Sequence, residues 1–220
     1  MKKIAAVLLV VCITCAGVFA LDMGAGGTFD FSYTHEFMKV NMPSYNYSLY
    51  IDTFFIGFKG FFDAHYAVAN IGMNTSVGKA ECREKIDGVP DNGKLDRSRT
   101  YLNLGILGKY PFKAANITLF PLVGFDFDFI LAAKEDGKKH KIDSEARDVW
   151  NRYWLDLGFG ADIPVALDGK LCVRPQGIFG IKLNRSKEEK DYKKEVKDAG
   201  GTYSDGMFKF NIGVGVLYKF

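Results

Sequence analysis

From residue 208 to the end of the chain every second residue is apolar or aromatic: Phe208, Phe210, Ile212, Val214, Val216, Tyr218 and Phe220. Between them stand Lys209, Asn211, Gly213, Gly215, Leu217 and Lys219. Side chains alternate across a strand, so the stretch predicts one strand with an apolar-aromatic face and a small or polar face. The pattern recurs. Tyr153, Leu155, Leu157, Phe159, Ala161 and Ile163 oppose Trp154, Asp156, Gly158, Gly160 and Asp162. Leu119, Val123, Phe125, Phe127 and Phe129 oppose Gly124, Asp126 and Asp128. Val173, Phe179, Ile181 and Leu183 oppose Arg174, Gln176, Gly180, Lys182 and Asn184, and Leu102, Leu104, Ile106 and Tyr110 oppose Asn103, Gly105 and Lys109. Phe29, Phe31, Tyr33 and Phe37 oppose Asp30, Ser32, Thr34 and Glu36. Two further segments, residues 48–62 and 66–77, have a less certain parity, and Asp52 interrupts the apolar face of the first.

Eight such segments, each long enough for the roughly 9–11 tilted residues of a membrane strand, predict an all-β fold: an eight-stranded antiparallel up-and-down transmembrane β-barrel. Alternation alone fits a soluble barrel equally well, with the apolar face turned inward. Two features favour the inverted arrangement. Links near residues 63–65, 111–116 and 164–170 are short, whereas residues 39–47, 78–99, 132–152 and 185–205 form longer ones, mostly dense in charge. Short turns at the end that holds both termini, and long loops at the other, are a membrane-barrel trait. The polar face is also rich in Gly, Asn and Asp, which suits a narrow, filled interior. Pro121 and Pro175 remove ladder hydrogen bonds, so bulges or strand ends are expected there.

The chain begins with Met1-Lys2-Lys3, an apolar run over residues 4–16, and Val18-Phe19-Ala20. This reads as a cleavable export signal over residues 1–20, ahead of a single barrel domain over 21–220. The formal charge of +3 falls to +1 once Lys2 and Lys3 leave, so the charge gives no reason to expect a nucleic-acid partner. Cys82 and Cys172 then remain, at no metal-ligand spacing and at opposite ends of the barrel, so two free thiols are expected.

Read together, the segments resemble the small eight-stranded outer-membrane proteins of the OmpW, OmpX and OmpA-barrel type. Residues 102–112, with Leu102, Gly105, Gly108 and Tyr110-Pro111-Phe112, and residues 174–180, with Arg174-Pro175-Gln176-Gly177, look like treponemal outer-membrane barrels of uncharacterised function. Gly215, Tyr218 and Phe220 resemble the C-terminal signal read by the barrel assembly machinery. The resemblance implies an outer-membrane location, with both termini periplasmic and outer-membrane lipid around the wall. It specifies a fold and no activity.

If Lys59, Lys109, Asp126, Asp128, Asp156, Asp162, Arg174, Lys182 and Lys209 all point inward, five bases meet four acids. A neutralising internal network is expected before a gated conduit, because buried charges must be paired and eight strands leave little lumen. Of the three histidines, His35 stands at the height where a lipid-modifying enzyme would want one, with an acidic and a hydroxyl partner. His65 falls in a short turn and His140 in a basic run. Asp87-Gly88 and its neighbours hint at a calcium loop but lack the ligand pattern of one, and a turn-rich loop is expected. Residues 187–198 mix both charges densely and read as a solvated loop or a hairpin extension.

The leading expectation is a structural or surface-interaction barrel, without catalysis, metal or cofactor, that meets an extracellular or host ligand through its loops. A narrow pore or conduit for small or apolar solutes is the alternative, and an outer-membrane lipid-modifying enzyme a minor one.

Overall fold

A computed structural model describes residues 23–220. The export signal expected over residues 1–20 lies outside the described residues. Strand β1 (Met23–Asn41) is followed by β2 (Asn46–Ala64) and β3 (Ala67–Ile86), which folds back as β4 (Val89–Leu95). Next come β5 (Arg97–Lys109), the short β6 (Phe112–Ala114), β7 (Ile117–Glu135) and β8 (Lys138–His140). Helix α1 (Ser144–Trp150) leads into β9 (Arg152–Ala166) and β10 (Leu171–Lys182). Helix α2 (Lys187–Asp198) precedes the last strand, β11 (Thr202–Lys219).

Antiparallel ladders join β1 to β2, β2 to β3, β3 to β5, β5 to β7, β7 to β9, β9 to β10, β10 to β11, and β11 back to β1. These eight strands close a ring. β4, β6 and β8 are hairpin partners outside it, paired to β3, β7 and β7. Where the eight ladders run side by side the wall has no free edge, so backbone donors and acceptors there are satisfied without water.

The two faces of the wall settle which solvent it meets. Phe58 is 64% exposed, Phe29 59% and Val214 55%, whereas Arg174 is 1% exposed, Asp126 3% and Lys209 7%. A barrel in water would reverse that order. With hydrocarbon outside, the apolar face meets lipid and the charges go to the lumen, so this is a membrane-spanning barrel. Among the described residues no helix is long and apolar enough to cross a membrane; the strands do the crossing. Tyr66, Tyr110, Phe112 and Phe220 ring the end that holds both termini, and Tyr50 and Tyr153 the opposite end.

The parity left open for the second and third segments is now fixed. Phe54, Phe58 and Phe62 of β2 and Ile71 and Met73 of β3 face outward. Four expectations need correction. The first far-end link is tight: β1 and β2 stay paired to Asn41 and Asn46, leaving residues 42–45 as the turn. Residues 78–99 are no loose loop but the β3–β4 hairpin, turned at Asp87 and Gly88 with φ of 49° and 84°. Residues 187–198 form a helix, not a loop or hairpin. Its start is fixed reciprocally: the Glu189 amide donates to the Ser186 hydroxyl at 3.1 Å, and the Ser186 amide to Glu189 Oε2 at 2.6 Å. Pro175 lies in mid-strand, where the β9–β10 ladder skips residues 174 and 175; the register shift falls between Leu171 and Cys172. Pro121 sits inside β7, one residue beyond the last β5–β7 pair, Lys109 with Leu122.

Candidate functional site

The lumen holds the densest polar chemistry of the molecule, built in layers. Near the termini, β2, β5, β9 and β10 contribute Asp63, Lys109, Asp162 and Arg174. The Arg174 guanidinium donates to Asp162 through Nε at 2.6 Å and Nη2 at 2.9 Å, and Nη2 also reaches Asp63. Lys109 Nζ closes on Asp63 at 2.5 Å. The guanidinium lies 4.8 Å from the ring centre of Phe61 and 4.9 Å from that of Phe120, so it is held by two aromatic faces and two carboxylates. This layer balances, two bases against two acids.

One step further in, Lys209 of β11 bridges Asp126 at 2.7 Å and Asp156 at 3.0 Å. Lys59 of β2 sits 3.4 Å from Asp30 and 3.7 Å from Asp126. Asp128 accepts from the Trp154 indole at 2.8 Å and from the Asn103 amide. Room for Lys209 and for Asp30 comes from glycines paired with them on the adjoining strands. A β-carbon on Gly180 would stand 2.7 Å from Lys209 Cε and 2.4 Å from Asp156 Oδ1. One on Gly213 would stand 2.3 Å from Asp30 Oδ1. Cavities of about 20 and 10 Å³ flank Lys59, each about the size of one water. Above this layer Arg152 stacks over Tyr101 and Phe55, with ring centres at 4.9 and 5.7 Å, and Arg97 faces Glu36 at 3.8 Å.

Of the nine residues the sequence points inward, eight therefore fall in these two layers. Lys182 stands apart: at the far end it pairs with Glu189 of helix α2 at 3.2 Å, tying that helix to the mouth. Asp30, Asp63, Arg97 and Arg152 join the lumen charges without having been singled out. Asp30 carried the signal, since it shares the polar parity of β1. Asp63 reads in sequence as part of a turn, and only the register shows it reaching Arg174. Gly215 and Tyr218 lie on the last strand, and Phe220, one residue past its end, donates its amide to the Met23 carbonyl at 2.9 Å.

Both ends of the lumen open into hollows. At the termini a cavity of about 220 Å³ is lined by Asp63, His65, Lys109, Lys113 and Lys219. At the far end one of about 430 Å³ is lined by Glu36, Phe37, Lys182, Arg185, Asp205 and Met207. Here the wall is incomplete. The β10–β11 ladder ends at Ile181 and Phe208, while β11 continues to Thr202 paired with β1 alone. Burial and the neighbouring Asp205 push the Tyr203 phenol, at this rim, up to about 12.

His35 does meet an acidic partner. Its Nδ1 lies 2.7 Å from Asp52 Oδ1, but the hydroxyl on that carboxylate belongs to Tyr33, at 2.5 Å, and the group faces outward. His65 packs edge-on against Tyr66, and His140 pairs with Glu135 at 3.4 Å. Cys82 and Cys172 are both free thiols. Among the described residues no group of three or more His, Cys, Asp or Glu is placed to hold a metal ion.

The fold and its lined lumen define a membrane-spanning β-barrel of the outer-membrane kind. No protein-family model and no curated protein matches the chain. Among solved structures it is similar to the outer membrane protease OmpT from Escherichia coli, at 10% identity and a TM-score of 0.44, over 90% of this chain and 97% of that one. It is likewise similar to OprG from Pseudomonas aeruginosa, at 10% identity and a TM-score of 0.41, over 90% and 95%. For Ail, the attachment invasion locus protein of Yersinia pestis, identity is 10% and the TM-score 0.34, over 89% and 99%. Likenesses of this degree carry no argument about activity, and they lend no support to a treponemal relationship.

Proposed function

We propose that this chain is an outer-membrane barrel whose lumen is a packed core, and that it serves as a structural or surface-interaction protein without catalysis. The observation that carries this reading is the double charge layer. Arg174, Lys109, Asp63 and Asp162, then Lys59, Lys209, Asp30, Asp126 and Asp156, tie together strands up to three places apart around the ring, and all are under 9% exposed. Buried charges so paired act as a plug. The termini and short turns face the periplasm, and the β3–β4 hairpin, α1 and α2 are displayed outside. Gly215, Tyr218 and Phe220 serve the assembly machinery, and kinship with treponemal barrels rests on residues 102–112 and 174–180. Liposome swelling tests the plug: proteoliposomes in isotonic arabinose keep their turbidity under this reading, and rapid clearing contradicts it.

A second reading draws on the parted strands at the far end. A small apolar solute entering the 430 Å³ hollow could leave sideways between β10 and β11 without passing the charge layers. Cross-linking cysteines placed at Leu183 and Gly206 would then abolish its uptake, whereas a purely structural barrel is indifferent to the link.

A further inference from the structure

Cross-strand pairing arranges the outward side chains of β1, β2 and β3 in rows. Toward the middle of the wall the rows are apolar or nearly so: Phe29, Phe58 and Met73; Phe31, Ile56 and Thr75; Tyr33, Phe54 and Val77. The next row is His35, Asp52 and Glu81, then Phe37, Tyr50 and Arg83, then Lys39, Ser48 and Lys85. The change from apolar to charged within one row marks where hydrocarbon gives way to headgroups.

At that boundary the side chains are organised around Tyr50. His35 stacks on its ring with centroids 5.9 Å apart, Lys39 Nζ lies 5.7 Å from the ring centre, and the Arg83 guanidinium 5.9 Å from it. Asp52 is buried beneath, and accepts from Tyr33, His35 and Arg83 Nη2, the last at 2.6 Å. One guanidinium nitrogen is thus spent on fixing Arg83, while its side chain remains 53% exposed. A guanidinium carries five N–H donors in a planar fork suited to phosphate. Lys39, Arg83 and Lys85 outnumber Asp52 and Glu81 on these rows, so the rim carries a net positive charge.

We propose that this is a seat for one anionic, phosphate-bearing lipid. The phosphate lies between Arg83 and Lys39 over the edge of Tyr50, and the acyl chains run down the apolar rows of Phe54, Phe31 and Phe58. In the orientation proposed above this is the outer leaflet. Asp52 is a positioning residue: it holds Arg83 at the height of a headgroup. Charge complementarity identifies the occupant, and the apolar rows directly below identify it as a lipid rather than a free anion.

Native mass spectrometry of the detergent-purified barrel, titrated with phosphatidylglycerol or phosphatidylcholine, tests this. The wild type is expected to retain one phosphatidylglycerol with a preference of about fivefold over phosphatidylcholine. The Lys39→Gln/Arg83→Gln double variant is expected to lose it. Lys39→Gln alone, which leaves the Asp52 pairing intact, is expected to reduce it at least about twofold. Lys113→Gln, at the opposite end, is expected to leave it unchanged. Heat-modifiable migration shows that each variant has folded. Equal retention of both lipids by the wild type, or an unchanged preference in the folded single and double variants, overturns the proposal. So does displacement of the lipid by millimolar inorganic phosphate, which would make this an anion site. None of these readouts depends on whether the lumen conducts.

Discussion

Replacing Arg174 by Ala removes the one group that two lumen carboxylates and two aromatic rings share. In the folded wild type its guanidinium satisfies Asp162 through two donors, at 2.6 and 2.9 Å, and also reaches Asp63. The variant leaves Lys109 on Asp63 at 2.5 Å and nothing for Asp162, which is 2% exposed. Removing one partner of a buried pair costs about 3–5 kcal/mol, because the other charge stays buried and uncompensated. Lys109 still serves one of the two acids, so the lower end applies, about 3 kcal/mol, or roughly a hundredfold in the unfolding equilibrium. Urea unfolding in lipid vesicles, followed by the fluorescence of Trp150 and Trp154, measures it. Adding Asp162→Asn removes the orphaned charge and is expected to restore about 2 kcal/mol, the coupling between the two sites. If Arg174→Ala unfolds within about 0.5 kcal/mol of the wild type, or if Asp162→Asn restores nothing, the charge layer is not a structural core and the reasoning fails.

Further outcomes follow from other parts of the molecule. Gly180→Val would drive a side chain into Lys209 and Asp156, and a loss of about 1–3 kcal/mol in the same urea assay is expected. Ser186→Ala removes the reciprocal cap of α2, worth about 1 kcal/mol, so hydrogen exchange over residues 187–198 is expected to quicken while the barrel strands stay protected. The Tyr203 phenol, raised to about 12, favours the folded rim while it is protonated. That contribution is complete below the ordinary tyrosine range near 10 and is lost as pH rises through 12, so phenolate absorbance and loosening of α2 are expected together in that window. Cys82 and Cys172 should label differently. Cys82, half-buried near the far rim, is expected to react with a membrane-impermeant maleimide in the folded barrel, and in the orientation proposed above it does so from outside the cell. Cys172, fully buried, is expected to label only after unfolding.

What the sequence could show divides along physical lines. The wall was legible because lipid and lumen impose opposite demands at a period of two, and Phe208 to Phe220 carries that signal with no interruption. Charges in mid-strand, such as Asp126, Asp156 and Lys209, share the polar parity and so announced their direction. Their partners did not, because which strand faces which across the ring depends on stagger and tilt, not on local pattern. Asp63 shows the limit: next to a turn it looks like a turn residue, and only closure brings it to Arg174. The far-end elements carried local signals that composition obscured. Ser186 with Glu189 three residues on is a helix-start pattern, and Asp87-Gly88 and Asp136-Gly137 are hairpin pairs, yet charge density made both regions look like loops. Asp52 looked like a fault in an apolar face; its partners lie on neighbouring strands, at Tyr33, His35 and Arg83.

The central claim, that the lumen is a core and not a pathway, is tested most directly by single-channel recording in planar bilayers, with Arg174→Ala as the comparison. The wild type is expected to show no discrete conductance steps at either polarity. Stable steps in the folded wild type that grow in proportion to salt concentration would contradict the account.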